Sequence, residues 1–215
     1  MTRALLVLAA GAANAFGFLA LGGVFTSVVT ANSAVLGLSL GTAHLGAARL
    51  AGLALLGYLL GAVTGSAVTA GRGRLPARGL PGGLAVEALA LWLVTAGWLA
   101  WDAHPDAGRR AALLLLTAAA MGCQNGSVRV AAGTGVTTSF LTGAVTSAVA
   151  ALVTRGRGAA RDSGVVLLFI AGAAAGGATF RWLHPVAPLL PTLLVTVAFA
   201  TARGRARQAV TDTGG

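Results

Sequence analysis

From Ala4 to Ala48 the chain runs 45 residues without an Asp, Glu, Lys or Arg. No soluble surface helix tolerates such a run, because a water-facing stripe needs polar side chains every turn. The pattern repeats. Charged residues, with no charge between the first two, mark out eight apolar segments: Ala4–Leu21, Gly22–Ala48, Leu50–Ala70, Leu84–Trp101, Ala111–Val128, Val130–Thr154, Gly164–Phe180 and Val186–Ala202. Each is about as long as a membrane-spanning helix, which needs roughly 17 to 25 residues. Charged residues are 9% of the 215, and mean hydropathy is +0.84. A soluble domain carries about 25% charge. The chain is therefore read as an all-α polytopic membrane protein whose first partner is the lipid bilayer.

The formal net charge of +10 comes from Arg alone. These Arg sit in short breaks between apolar runs, as Arg72, Arg74 and Arg78, then Arg155, Arg157 and Arg161, then Arg203, Arg205 and Arg207. That distribution suits loops held at an anionic membrane surface rather than a nucleic-acid interface. A single cysteine, Cys123, excludes an intrachain disulfide and a thiolate metal cluster. His44, His104 and His184 have no ligand spacing, so no metal and no cofactor is expected. No catalytic motif is present, and an enzyme is not expected. Arg3, Ala4–Ala10 and Ala13-Asn14-Ala15 imitate the three parts of a signal peptide. The apolar stretch continues past that point, and a similar segment recurs at Ala111–Gly126, so the first segment is read as a retained span.

The positive-inside rule separates six spans from eight. If all eight segments cross, ten Arg lie inside and the Arg72–Arg78 cluster lies outside. If the second and sixth enter without crossing, eleven lie inside, and every dense cluster is cytoplasmic. Six spans are expected, with both termini in the cytoplasm and the bacterial inner membrane as the location; 4+4 spans are the alternative. The two exceptional segments share a phrase, "GVFTSVVT" at 23–30 and "GVTTSFLT" at 135–142. They are crowded with Thr, Ser and Gly, which suits a re-entrant or broken helix enclosed by protein. Gly61-x-x-x-Gly65 likewise recurs as Gly172-x-x-x-Gly176. Three spans per half would make the halves, 1–107 and 108–207, repeats of inverted topology. Residues 208–215 are expected to form a disordered tail.

Interrupted segments at matching places in two inverted halves point to a transporter's binding site. The candidate ligands of a small polar solute or ion are Thr26, Ser27, Thr30 and Asn32 from the first element. From the second they are Thr138, Ser139 and Thr142. Asn14 in the first span and Gln124 and Asn125 in the fourth are amides that need partners in hydrocarbon, either across the molecule or along a path. Glu87 is the one acid inside an apolar segment and the candidate for coupling to an ion or proton. It lies close to the expected helix end, where snorkelling or pairing with Arg78 is the plainer alternative. The glycine patterns are read as packing surfaces, and the four Trp mostly as an interfacial belt.

"NAFGFLALGGVFTSVVTANSAVLG" and "AMGCQNGSVR…GVTTSFLTGAVT" resemble the two signature stretches of the YoaK family, six-span bacterial membrane proteins of unknown function. The resemblance implies a polytopic inner-membrane protein and brings no activity with it. Members usually have Asp where Asn14 stands, and commonly Thr-Gly-Asn in place of Thr30-Ala31-Asn32, while Gln124, Asn125 and Thr142-Gly143 follow the family. The expected function is a small-solute or ion permease, acting as a homodimer. The alternative is a non-transporting structural or regulatory membrane protein.

Overall fold

The computed structural model describes residues 1–71, 79–132 and 159–213. These form seven α-helices and one 3-10 turn: α1 Thr2–Ala20, α2 Val29–Gly41, α3 Leu45–Ala70, α4 Gly79–Ala100, α5 Ala107–Ala132, α6 Ala159–Trp182, the turn His184–Val186, and α7 Leu189–Thr213. There is no strand among the described residues. All but α2 contain a stretch long and apolar enough to cross a bilayer, six in total among the described residues. At 13 residues, α2 is about 20 Å long, short of a hydrocarbon core of about 30 Å. The protein is a multi-pass membrane protein.

Its sides and interior invert the soluble pattern. Leu56, Leu59, Leu60 and Val63 of α3, Leu89 and Leu93 of α4, and Leu167 and Ile170 of α6 all face outward. The interior is lined by Ala9, Ala10, Ala12 and Ala13 of α1, Ala54 of α3, and Ala118 and Ala120 of α5. Against lipid a large aliphatic side chain gains little from burial, so small residues are selected inside, where they let backbones touch.

Two glycine seams show this. A Cβ on Gly61 would overlap the Ala119 carbonyl, and one on Gly65 the Cys123 carbonyl. From the other side, Gly122 lies against the Tyr58 carbonyl and Gly126 against the Ala62 carbonyl. The numbers rise together, so α3 and α5 run parallel. In the second seam Gly172 meets Leu8, Gly176 meets Ala12 and Gly11 meets Phe169, so α1 and α6 are also parallel. Helices α4 and α7 run antiparallel and are joined by hydroxyls. Thr95 and Thr192 are 2.9 Å apart at their Oγ1 atoms, and the Trp92 indole N–H donates to Thr196 Oγ1 at 3.2 Å. One end of the bundle gathers Leu6, Leu84, Val128, Ala198 and Ala202. The opposite end gathers Leu21, Val24, Ala51, Trp98, Leu113 and Ala187.

Three expectations change. Arg129 does not end a helix, because α5 continues to Ala132; the long Arg stem lets the backbone stay helical while the charge reaches the surface. Trp182 is exposed at the end of α6, as a belt requires, but Trp92 is exposed eight residues inside the end of α4, and Trp98 is buried. It packs edge-on against Phe16, with ring centroids 5.1 Å apart, and its indole N–H donates to the His184 carbonyl at 3.2 Å. Finally, α7 carries its helix to Thr213, through most of the segment expected to be a disordered tail. Nothing from Arg203 to Thr213 is a strong breaker except Gly204, and Arg, Ala and Gln are good helix formers.

Candidate functional site

The first Thr-rich element is re-entrant. Helix α1 stops because Gly22 and Gly23 take φ of +120° and +76°, a region that favours glycine. The Gly23 N–H returns to the Phe18 carbonyl at 3.0 Å and closes the helix end. The chain then folds back down the side of α1. Val24 and Thr26 lie against Gly17, and Thr26 and Ser27 reach the level of Asn14, close to two turns inside the helix end. Helix α2 starts there and climbs back, ending where α3 begins.

Non-helical backbone at this depth leaves amides with no helical partner, and each needs one. Asn14 supplies two. Its Oδ1 accepts the Thr26 and Ser27 N–H groups at 3.0 and 3.1 Å, while its Nδ2 donates to Ser27 Oγ at 2.6 Å and the Ala10 carbonyl at 2.7 Å. Asn32, one turn into α2, brackets Phe25, accepting its N–H at 3.1 Å and donating to its carbonyl. Phe25 stacks on Phe18, with centroids 5.0 Å apart. Both amides thus act first as braces for the break.

Two groups at this point keep chemical capacity. Thr26 Oγ1 is buried and has no hydrogen-bond partner. The N-terminus of α2 has no side-chain cap, so the positive end of its dipole meets the same level of the bundle. Of the residues expected at the site, the structure brings Asn14, Thr26, Ser27 and Asn32 together. Thr30 is exposed on the outer side of α2. Gln124 is fully buried lower on the bundle, where its Nε2 donates to the Leu6 carbonyl at 3.2 Å. Asn125 donates to the Met121 carbonyl at 3.0 Å. Thr138, Ser139 and Thr142 lie outside the described residues.

Glu87 stands apart from this cluster, toward the Leu6 end. Helix α4 begins at Gly79, so Glu87 lies eight residues in, about 12 Å from its start. It is 0% exposed, which rules out snorkelling. Around Gly83, the turn just before it, are three residues that sequence reasoning did not select: Thr69, Cys123 and Ser127. The signal was present as i, i+4 pairs on three helices: Gly65 and Thr69, Gly83 and Glu87, Cys123 and Ser127. His104 and His184, far apart in sequence, also meet, with ring centroids 5.6 Å apart at the Trp98 end. No group of three metal-ligating side chains occurs among the described residues.

A family model described as "Protein of unknown function (DUF1275)" matches residues 3–201. No curated protein and no solved structure matches the chain.

Proposed function

Because the chain belongs to this DUF1275 family of unknown function, which supplies no activity, we propose from its own residues that it is a small-solute or ion permease. The observation that carries the reading is the re-entrant break at residues 22–28. It brings an unpartnered threonine hydroxyl and an uncapped helix N-terminus inside a six-span bundle. Transporters place such broken helices at their binding sites, where the dipole end and freed backbone groups hold the solute. The site lies between the two Thr-rich elements, with Thr26 the principal contact of the first. The dipole favours an electron-rich group of the solute at that point.

The glycine seams support an inverted repeat. Gly61 on Ala119 and Gly172 on Leu8 differ by 111 positions in both partners. So do Gly65 on Cys123 and Gly176 on Ala12, and Gly122 on Tyr58 and Gly11 on Phe169. Asn14 and Asn125 stand at the same offset. We therefore infer that α1, α3 and α4 repeat, inverted, as α5, α6 and α7. Within the same proposal the protein is a non-enzymatic homodimer of the bacterial inner membrane, has cytoplasmic termini, and is YoaK-like in the narrower sense of its two signature stretches.

The test is hydration. In a Cys123→Ala background, Thr26→Cys in liposomes is expected to react with a water-soluble, membrane-impermeant thiol reagent. A scaffold would keep that point dry. The bracing by Asn14 and Asn32 favours this second reading to the extent that the break is only a packing device. Absence of reaction from both sides of the membrane would establish the scaffold and end the permease proposal.

A further inference from the structure

Three helices meet at Gly83, one turn before the buried Glu87 of α4. A Cβ built on Gly83 would overlap Ser127 Oγ of α5 and lie 2.9 Å from Thr69 Oγ1 of α3, so both hydroxyls converge on this turn. Ser127 Oγ also lies beside Gly65, where an added Cβ would be 2.8 Å from it. The Cys123 thiol donates to the Gly83 carbonyl at 3.4 Å. Ser127 and Glu87 are 0% exposed and Thr69 is 5%. Both carboxyl oxygens of Glu87 and both hydroxyls have no hydrogen-bond partner. Four unpartnered buried oxygens on two successive turns of one junction, one pair of them ionisable, are not a packing solution. Each unmade hydrogen bond is destabilising, and a bare carboxylate is the most costly of them.

Among the described residues Glu87 makes no ion pair. From α5 it is faced by the Cys123 thiol, and Arg129 is exposed. From α3, Thr69 reaches the turn at Gly83 that precedes it. On α7, Arg203, Arg205 and Arg207 are exposed, beyond the Ala198 and Ala202 that pack on Leu84. On α1, Arg3 sits at the helix start, and the turn nearest Leu84 is that of Leu6.

We propose that Glu87 is a reversible proton-binding site, with the Ser127 and Thr69 hydroxyls as its hydrogen-bonding partners. A proton from water at the Leu6 end binds one carboxyl oxygen and cancels one negative charge. The acid so formed donates to a hydroxyl. Its release restores the carboxylate and returns the proton to water. Chemically the site needs no co-reactant. It deepens the permease reading by naming what that permease would couple to, but the site itself does not require the Thr26 cluster.

The test is labelling of the full-length protein in liposomes with a hydrophobic carbodiimide, which reacts with protonated carboxyl groups in apolar surroundings. At neutral pH, peptide mapping is expected to find the adduct on Glu87. Labelling should be lost at high pH, lost in Glu87→Gln, and unaffected by sodium. Ser127→Ala with Thr69→Val should keep the labelling but move its pH profile, which a merely structural pair of hydroxyls would not do. Mapping uses the unaltered chain, so the result stands even if Glu87→Gln misfolds. Absence of an adduct at neutral pH, or protection by sodium chloride, overturns the proposal. An unmoved profile in the double variant removes the hydroxyls from it. Thr26→Val should leave the labelling intact, so failure here and failure of the permease reading are separable.

Discussion

Asn14 shows how much one amide can decide. It is both donor and acceptor, and the break uses both capacities. Asn14→Ala would strand the Thr26 and Ser27 N–H groups, at about 1 to 3 kcal/mol each. Thermal unfolding in detergent is expected to show a loss of about 3 kcal/mol. Asn14→Asp should cost less. A carboxylate still accepts both N–H groups and the Ser27 hydroxyl proton, and only the bond to Ala10 is lost. A variant series in which Asp is as damaging as Ala would refute that account. Asp106, outside the spans, gives a pH signature. Its Oδ1 accepts the Arg109 N–H at 2.9 Å at the start of α5, and its Oδ2 lies 3.2 Å from the Arg109 guanidinium. The Arg109 N–H chiefly, and the guanidinium charge less, hold its carboxyl below the usual range. The unfolded chain then takes up the proton at higher pH than the folded one. The cap's contribution is complete above the ordinary carboxylate range and is lost as pH falls through the lowered value. Asp106→Ala should melt lower at neutral pH, and the gap to the parent should close in acid.

At the scale of elements, the spans were legible because lipid leaves composition no other reading. The break was legible too: "GG" followed by β-branched and hydroxyl residues is a poor helix start and a good interruption. What holds the break was not, because Asn14 finds Thr26 and Ser27 only after the chain reverses through a turn. The depth of Glu87 was hidden for a different reason. "GLPGG" looks like a loop, yet Pro is tolerated in a first helical turn, and α4 begins at Gly79. Nothing local marked Trp98 as buried, since its partners Phe16 and His184 come from distant helices. The seams yield a paired prediction. Gly61→Ala and Gly172→Ala both place a methyl on a facing carbonyl, so each should cost about 1 to 3 kcal/mol. Gly177→Ala meets nothing within 4 Å and should be neutral or slightly stabilising through helix propensity. Equal melting points for Gly172→Ala and Gly177→Ala would contradict the seam.

For the molecule as a whole, the parallel and antiparallel pairs fix which chain ends share a side. The start of α1, Gly71 and Gly79 belong to the Leu6 end; Asp102, His104 and His184 belong to the Trp98 end. In a Cys123→Ala background, single cysteines at Gly71 and at His104 should therefore label from opposite sides of the membrane. Labelling of Gly71→Cys on the side opposite residue 2 would restore the eight-span arrangement. The seams also cross the midpoint of the chain: α3 closes on α5, and α1 on α6. A nascent chain leaving the ribosome must hold α1 in the bilayer, its glycine groove facing lipid, while about 140 residues are made before α6 is added. Assembly order is thus written into the connectivity. Truncated fragments ending before α6 should be targets for membrane proteases, and the first helix to insert should be among the last to lock.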